Sequence, residues 1–235
     1  MLDRVKSMLK KDEIKIKKPI HIAVTTHGIT DWKEKHKKTS KETFEKCFNT
    51  AKSLVESQIQ NSIRILTVYL LPEKIDDEEN YDEFIDIMVD FIASLTNNNE
   101  INSNQVKVSV LGKWYDLPTK AIDPIKKVIE ETKDYDKFFL NLCLNYDGQE
   151  EIVDACKLII RKVQTEKLDA DAVTKQTIKD NIYASYFLHP NVVIINGKQR
   201  RLSGLLLWDS AYSRIHFTDK MFPDFSKKDF ESCFE

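Results

Sequence analysis

Two short segments contain the residues whose types and spacing could support chemistry. In the first, His27 is followed four residues later by Asp31, and in the second, Arg201 is followed by Ser203. His27 is of a type that acts as a base or metal ligand, or it is a neutral histidine hydrogen-bonded to Asp31. Arg201 and Ser203 carry donors that suit phosphate oxygens, or Arg201 pairs with a carboxylate such as Asp209.

The remaining clusters of reactive residues do not indicate a site. The acidic run Asp76–Glu79 has the composition of a cation site, and we interpret it as a solvated loop. The lysine-rich segment Lys33–Lys38 is interpreted as a charged, mobile surface. The cysteines form no CxxC pair and have no zinc spacing, which favours small core side chains in a reducing compartment; they are Cys47, Cys143, Cys156 and Cys233.

Charge and composition argue against two functional classes. The chain has 36 basic and 38 acidic residues, so no global field attracts nucleic acid. No apolar segment approaches the ~18 residues of a membrane helix, and we expect a cytoplasmic protein. Residues 1–18 are predicted to form a basic helix or tail, with Leu2, Val5 and Leu9 on one side. This segment either frays on its own domain or makes a peripheral contact with a membrane or partner.

Short apolar segments alternate with helical periodicity along almost the whole chain. The apolar segments are typical of parallel strands buried on both faces; they are Ile20–Thr26, Ile63–Leu71, Val106–Leu111, Phe138–Leu144, Val192–Ile195 and, as a sixth candidate, Arg214–Phe217. Apolar residues spaced by three and four predict the helices between them; these are one capped by Thr39 or Ser40 that extends to Ile59, one around Phe84–Leu95, one from Ile122 to Ile129 that begins near Pro124, and one from Gln149 to Val163. The sequence predicts an α/β fold with a central, mostly parallel six-stranded sheet flanked by helices, in a single domain of residues 19–235.

The glycines support this order of elements. Four of the five follow predicted strands, where the chain must turn sharply; they are Gly28, Gly112, Gly148 and Gly197. Ligands of open α/β sheets bind at the carboxyl ends of the strands. We therefore expect the functional site at that edge of the sheet.

Four segments of the chain match known motifs in a fixed order. The first strand and its loop read HIAVTTHGITDW, which is similar to a strand followed by D-G-N-G-R-W. Residues Leu140–Ala155 (LNLCLNYDGQEEIVDA) are similar to L-N-x-x-x-N-Y-G-G-R-x-E-I-V-x-A. Residues Arg201–Asp219 (RLSGLLLWDSAYSRIHFTD) are similar to R-x-S-N-F-L-L-W-Q-x-A-Y-x-E-x-x-F-x-D, and Phe222–Phe225 (FPDF) to W-P-D-F. On these motifs the chain resembles the cis-prenyltransferases, which condense allylic and isopentenyl diphosphates.

The resemblance implies the dimer of parallel α/β subunits found in that family, but the residues of its chemistry are replaced here. The magnesium-binding Asp of the first motif is His27, the Arg that grips the allylic diphosphate is Asp31, and a metal-linked Glu is Arg214. Other family positions have lost their polar groups; the R-x-x-x-H pair falls on Ser40 and Phe44, the Arg of R-T-S-G on Ile195, and the S-x-E-N-W loop on Leu71–Asp76.

The resemblance leaves a set of candidate diphosphate-binding residues, and it assigns no catalytic residue and no metal ligand, since His27 replaces the family Asp. The candidates are Arg201, Ser203, Arg214, Gly28, Trp32 and Asn145. We expect no cofactor for this chain alone, and Mg²⁺ in the family or in an active partner. One face of the helix Phe84–Leu95 is expected to be core, and the other resembles the lining of the family's prenyl tunnel.

The function implied is that of a cis-prenyltransferase homologue in polyprenyl (dolichol-type) diphosphate synthesis, as the catalytically silent subunit of a heteromeric enzyme. Its partner would be a motif-complete homologue in a heterodimer, or a second copy in a homodimer, with Leu205–Tyr212 in the region that resembles the family's dimer contact. The alternative is a divergent, magnesium-independent prenyltransferase or prenyl diphosphate-binding protein acting on a different acceptor. In that case His27 and Arg214 would replace the cation.

Overall fold

A six-stranded sheet forms the centre of the fold. The computed structural model of the protein describes residues 19–72 and 80–234. The strands are β1 (His21–Thr25), β2 (Ile65–Pro72), β3 (Val106–Leu111), β4 (Phe138–Tyr146), β5 (Val192–Ile195) and β6 (Arg214–Phe217). They lie in the order β3-β4-β2-β1-β5-β6, and each neighbouring pair is parallel. The predicted α/β class and central six-stranded sheet are confirmed.

Helices flank this sheet throughout the described part of the chain. They are α1 (Ile29–His36), α2 (Ser40–Gln60), α3 (Tyr81–Thr96), α4 (Asn99–Ser103), α5 (Thr119–Glu131), α6 (Gly148–Gln164), α7 (Lys175–Lys179) and α8 (Lys227–Ser232). The start predicted for α5 is wrong, because Pro118 precedes the first helical residue and Pro124 lies inside the helix. The charged segment Lys33–Lys38 lies at the end of α1, which extends to His36 and ends at Lys37 (φ 52°), and its residues 34–38 are exposed.

The sheet separates two hydrophobic cores. Alternate residues of β5 enter each core: Val192 and Ile194 face one, and Val193 and Ile195 face the other. The first core also receives the apolar faces of α2, α3 and α5, and the second receives Leu205 and Leu206 from the long connection after β5. These two layers fix the loops at the carboxyl edge of the sheet.

A buried network of polar side chains lies in the middle of the sheet. The His21 ring lies 2.6 Å (Nδ1) from the Leu188 carbonyl and 2.8 Å (Nε2) from the Thr67 hydroxyl. The amide of Asn141 donates to the same hydroxyl. Burial lowers the pKa of His21 from 6.5 to about 3, so the ring is neutral and the network stays uncharged.

Two predictions fall on parts of the chain that are not described. The basic helix or tail of residues 1–18 and the acidic run Asp76–Glu79 both lie outside the described residues. Within residues 19–72 and 80–234, no helix is long and apolar enough to cross a membrane.

Candidate functional site

The connections after β1, β5 and β6 meet at the carboxyl edge of the sheet. The backbone amide of Asn196 donates to the Thr25 hydroxyl (3.1 Å), and the backbone amide of Gly197 donates to the Lys220 carbonyl (2.8 Å). A Cβ atom on Gly197 would lie 3.4 Å from the Gly28 nitrogen. Backbone contacts alone therefore bring the residue pair 27–28 against 196–197, as expected for a ligand site of an open sheet.

His27 lies at this junction and is half-buried. Burial and the positive charge of Arg201 lower its pKa below the usual 6.5, while a hydrogen bond from the ring to the backbone carbonyl of Asn196 works in the opposite direction. The ring is therefore neutral at pH 7. Its Nδ1 atom is buried and has no hydrogen-bond partner among the described residues, so Asp31 does not bond to this atom.

Gly28 and Trp32 connect this junction to α1. Gly28 has a φ of 82° and directly precedes the helix, with Met221 packed so closely that a Cβ atom would lie 3.0 Å from its Cγ. The Trp32 ring is buried and stacks on His36 with centroids 4.6 Å apart. The indole nitrogen of Trp32 is buried without a partner in the described structure.

Arg201 and Ser203 lie in the connection after β5. Arg201 is exposed, and its Nε atom donates to the Gln199 side chain at 3.2 Å. The proposed partner Asp209 is instead buried and accepts from Lys179 at 2.5 Å. Ser203 has a φ of 51°, and its hydroxyl is buried without a described partner. Arg201 is thus available to a ligand and acts electrostatically on His27.

Two of the predicted site residues lie apart from this group. Asn145 (φ 47°) donates from its side-chain amide to the Lys113 carbonyl at 2.9 Å, which ties the end of β4 to the turn after β3. Arg214 begins β6 and pairs in register with Val192, the first residue of β5. It therefore lies at the amino edge of the sheet, where its guanidinium donates to the Cys233 carbonyl at 2.5 Å. Within one chain, Arg214 does not join His27.

Sequence reasoning missed Asn196. This residue follows β5 directly and is completely buried, yet neither the nitrogen nor the oxygen of its side-chain amide has a partner among the described residues. Buried polar atoms without hydrogen-bond partners destabilise a fold. Their presence at the carboxyl edge of the sheet therefore indicates a ligand-binding role. The signal available in the sequence was a polar residue at the end of the apolar run VVII.

Comparisons with known proteins identify the family. A family model described as "Putative undecaprenyl diphosphate synthase" matches residues 26–235. The chain belongs to this family, the cis-prenyltransferases. A "Ditrans,polycis-undecaprenyl-diphosphate synthase ((2E,6E)-farnesyl-diphosphate specific)" of Buchnera aphidicola is 29% identical over 97% of this chain and 94% of the relative. A "Tritrans,polycis-undecaprenyl-diphosphate synthase (geranylgeranyl-diphosphate specific)" of Pyrococcus horikoshii is 31% identical over 90% of this chain and 81% of the relative.

Solved structures agree on the fold. Lavandulyl diphosphate synthase from Lavandula x intermedia, in complex with dimethylallyl diphosphate, has a TM-score of 0.88 at 24% identity, covering 93% of this chain and 94% of the solved chain. A probable undecaprenyl diphosphate synthase from Campylobacter jejuni has a TM-score of 0.72 at 21% identity, covering 92% of this chain and 93% of the solved chain. The predicted family and cis-prenyltransferase fold are confirmed.

The cis-prenyltransferases use Mg²⁺, but the residues present do not fit it. Magnesium requires hard oxygen ligands in near-octahedral geometry. At the first motif this cis-prenyltransferase has the neutral ring of His27, and Asp31 is exposed on α1. Among the described residues, no group of three or more His, Cys, Asp or Glu side chains could hold a metal ion.

Aromatic rings fill the layer between α2 and α3. Phe44 packs edge-on against Phe84 (centroids 5.1 Å apart), and Phe48 stacks on Phe91 at 4.9 Å. All four rings are buried in one core. Phe44, which the motif resemblance aligns with a family histidine, is thus part of the core in this chain.

Proposed function

We propose that this chain is the catalytically silent subunit of a heteromeric cis-prenyltransferase in polyprenyl (dolichol-type) diphosphate synthesis. The proposal depends chiefly on His27, a neutral, half-buried ring at the position that resembles the family's magnesium-binding Asp. The exposed carboxylate Asp31 replaces the guanidinium that would grip the diphosphate. Diphosphate chemistry depends on electrostatic stabilisation of the transition state, and the two changes remove it.

The packing of the interior supports the same proposal. A growing prenyl chain between α2 and α3 would have to displace the rings of Phe44, Phe48, Phe84 and Phe91, each less than 9% exposed. Displacing even one buried Phe side chain forfeits about 3 kcal/mol or more of packing. The packed rings between α2 and α3 therefore support a subunit that keeps the fold of the family and does not elongate a chain along this path.

The direct test is a reconstitution with a motif-complete homologue from the same cell. The chain alone should form no polyprenyl product from farnesyl diphosphate, isopentenyl diphosphate and Mg²⁺. With the homologue, it should copurify as a heterodimer that makes product. The matched control replaces the motif Asp of the homologue by Ala, which should abolish all activity of the pair. Activity that survives this control, or turnover by the chain alone at about 1 per second or faster, refutes the proposal.

A second candidate function is the metal-free binding of a prenyl diphosphate, followed by transfer to another acceptor or by no reaction. It is favoured by the buried polar atoms without described partners at the junction, on His27, Trp32, Asn196 and Ser203. Of the two arginines predicted from the motifs, Arg201 supplies the cation in this version, because one chain places Arg214 at the other edge of the sheet. The pKa of His27 is lowered in the free protein, and a bound diphosphate would raise it. Binding would then take up a proton at this ring, so affinity should fall as pH rises between the free and the bound pKa values.

Calorimetric titration of farnesyl diphosphate in EDTA separates the two candidates. Metal-free binding should weaken by about 2 kcal/mol, roughly 30-fold, in Arg201→Ala. The matched control is Arg200→Ala, because Arg200 is also exposed but pairs with Asp219. Equal loss in both variants, or no heat in the wild type, rejects the second candidate and leaves the silent subunit.

A further inference from the structure

Two consecutive hydrogen bonds join the first three helices near the carboxyl edge of the sheet. The Lys33 ammonium group, in the last turn of α1, donates to the Ser40 hydroxyl at 2.7 Å. That hydroxyl donates in turn to the side-chain oxygen of Asn80 at 2.7 Å. Ser40 is the buried first residue of α2, and Asn80 directly precedes α3. One hydroxyl group therefore connects α1, α2 and α3.

The Asn80 side chain acts between helices rather than within one. An Asn that precedes a helix usually accepts hydrogen bonds from the backbone amides of the first turn. The Asn80 side chain makes no such bond to α3. Its oxygen accepts from Ser40 of the neighbouring helix instead. The start of α3 is thus held to the start of α2.

An aromatic pair lies one helical turn below this polar contact. Phe44 follows Ser40 by one turn of α2, and Phe84 follows Asn80 by one turn of α3. The two rings meet edge-on with centroids 5.1 Å apart. A polar contact and an aromatic contact therefore close the space between α2 and α3 at this edge. Ser40 and Phe44 are also the residues on which the R-x-x-x-H pair of the motif resemblance falls.

The helix α1 has little apolar contact to hold it in place. Trp32 is its single buried residue, and the residues that flank the helix, Gly28 (φ 82°) and Lys37 (φ 52°), both have a left-handed backbone. Elements that bury little apolar surface open locally at low free energy. The hydrogen bond from Lys33 to Ser40 therefore matters for the position of α1.

We propose that Lys33, Ser40 and Asn80 form a latch that holds α1 and α3 to the start of α2 and keeps the space between α2 and α3 closed. Ser40 suits this role because a hydroxyl group accepts one hydrogen bond and donates another. An arginine at this position, as in the motif resemblance, has donors only and could not accept from Lys33. The latch goes beyond the proposed silent subunit, because it assigns these residues a new task, which is to close the subunit.

Two reporters follow the two contacts of the latch. Opening of α1 is measured by hydrogen exchange of the Trp32 backbone amide, which donates to the Gly28 carbonyl at 3.0 Å. Separation of α2 from α3 is measured by the rate at which a thiol reagent labels Cys47, with the labelled residue identified by peptide mass spectrometry. Cys47 suits this purpose because it is 3% exposed and lies in the same core as Phe44 and Phe84.

Each variant of the latch should have its own pattern. Ser40→Ala should accelerate both reactions by about tenfold, the equivalent of one hydrogen bond. Lys33→Met should accelerate exchange of the Trp32 amide only. Asn80→Ala should accelerate labelling of Cys47 only, and it removes no cap from α3.

The matched controls are Lys35→Met and Ser53→Ala, which should behave as the wild type. Lys35 is exposed on α1, and the Ser53 hydroxyl donates to the Thr50 carbonyl of its own helix at 2.8 Å. Unchanged rates in Ser40→Ala overturn the latch, and so does the absence of either effect predicted for one contact alone. Equal acceleration in a control also overturns it, because a general loss of stability would then be the cause. Neither reporter needs a prenyl diphosphate or a partner, so failure here is distinguishable from failure of the proposed function.

Discussion

Replacing Glu151 by Gln should change how the stability of the protein depends on pH. Burial raises the folded-state pKa of Glu151 to about 7, above its usual value of 4.5. Between these values the folded protein binds a proton that the unfolded chain releases, so stability falls as pH rises through this window. At ~1.36 kcal/mol per pKa unit, this destabilises the ionised form by about 3 kcal/mol above pH 7. Glu151→Gln has no carboxylate to ionise, so the variant does not lose this stability as pH rises.

His21 makes the opposite contribution. Its folded-state pKa of about 3 lies below the usual 6.5, so its stabilising effect is complete above pH 6.5 and is lost as pH falls toward 3. Between pH 4.5 and 6.5 the two contributions cancel in the wild type. Relative to the wild type, stability without Glu151 should therefore rise with pH across this window by about 1.4 kcal/mol per unit, because the opposing Glu151 contribution is absent.

Urea denaturation at four pH values from 4.5 to 7.5 measures this difference directly. Groups that do not interact with Glu151, such as His21, cancel in the difference between wild type and Glu151→Gln. Glu150→Gln is the matched control and should follow the wild-type curve, because its carboxylate is partly exposed and pairs with Lys113. Parallel curves for wild type and Glu151→Gln would refute the reasoning, since they would mean that Glu151 ionises in the fold as it does in the unfolded chain.

Three further substitutions test the packing. Gly148→Ala should lower the melting temperature, because its Cβ atom would overlap the Gly204 carbonyl oxygen; an unchanged melting temperature would contradict this close approach. Thr39→Ala removes the capping box of α2 and should cost about 1 kcal/mol in urea denaturation, whereas no loss would mean that the cap is dispensable. Phe48→Ala should cost about 3 kcal/mol or more by the same measurement if the rings between α2 and α3 are packed as described.

Apolar runs with clear boundaries made most of the fold predictable from the sequence. The strands and the helices α2, α3 and α6 bury enough side chains that local patterns and tertiary packing agree. The segment Ile29–His36 was not predicted as a helix because six of its eight residues are exposed or charged, and its single buried side chain is Trp32. A single buried side chain produces no helical periodicity of apolar residues. This helix therefore depends on tertiary contacts, which the sequence pattern does not show.

The candidate site was less predictable, because motif order along a chain does not state which edge of a sheet a residue occupies. Arg214 matches a metal-linked position in the resemblance, but its pairing with Val192 places it at the amino edge. Asn196 has no counterpart among the residues singled out from the motifs, although it lies beside Gly197 at the junction. Strand register and the hydrogen-bond partners of buried atoms are properties that only the folded chain reveals.

The protonation state of His27, where the connections after β1, β5 and β6 meet, distinguishes the two proposed functions. His27 is neutral because burial and Arg201 both oppose its protonation. A diphosphate bound there would bring its own negative charge, which favours a protonated ring, so binding and proton uptake by His27 would be coupled. The same coupling cannot occur in a silent subunit that binds no anion. A pKa of His27 that rises on adding farnesyl diphosphate in EDTA, measured from the ring NMR signals, would therefore favour a binding protein over a silent subunit. An unchanged pKa would agree with the silent subunit, because nothing would then compensate the charge of Arg201.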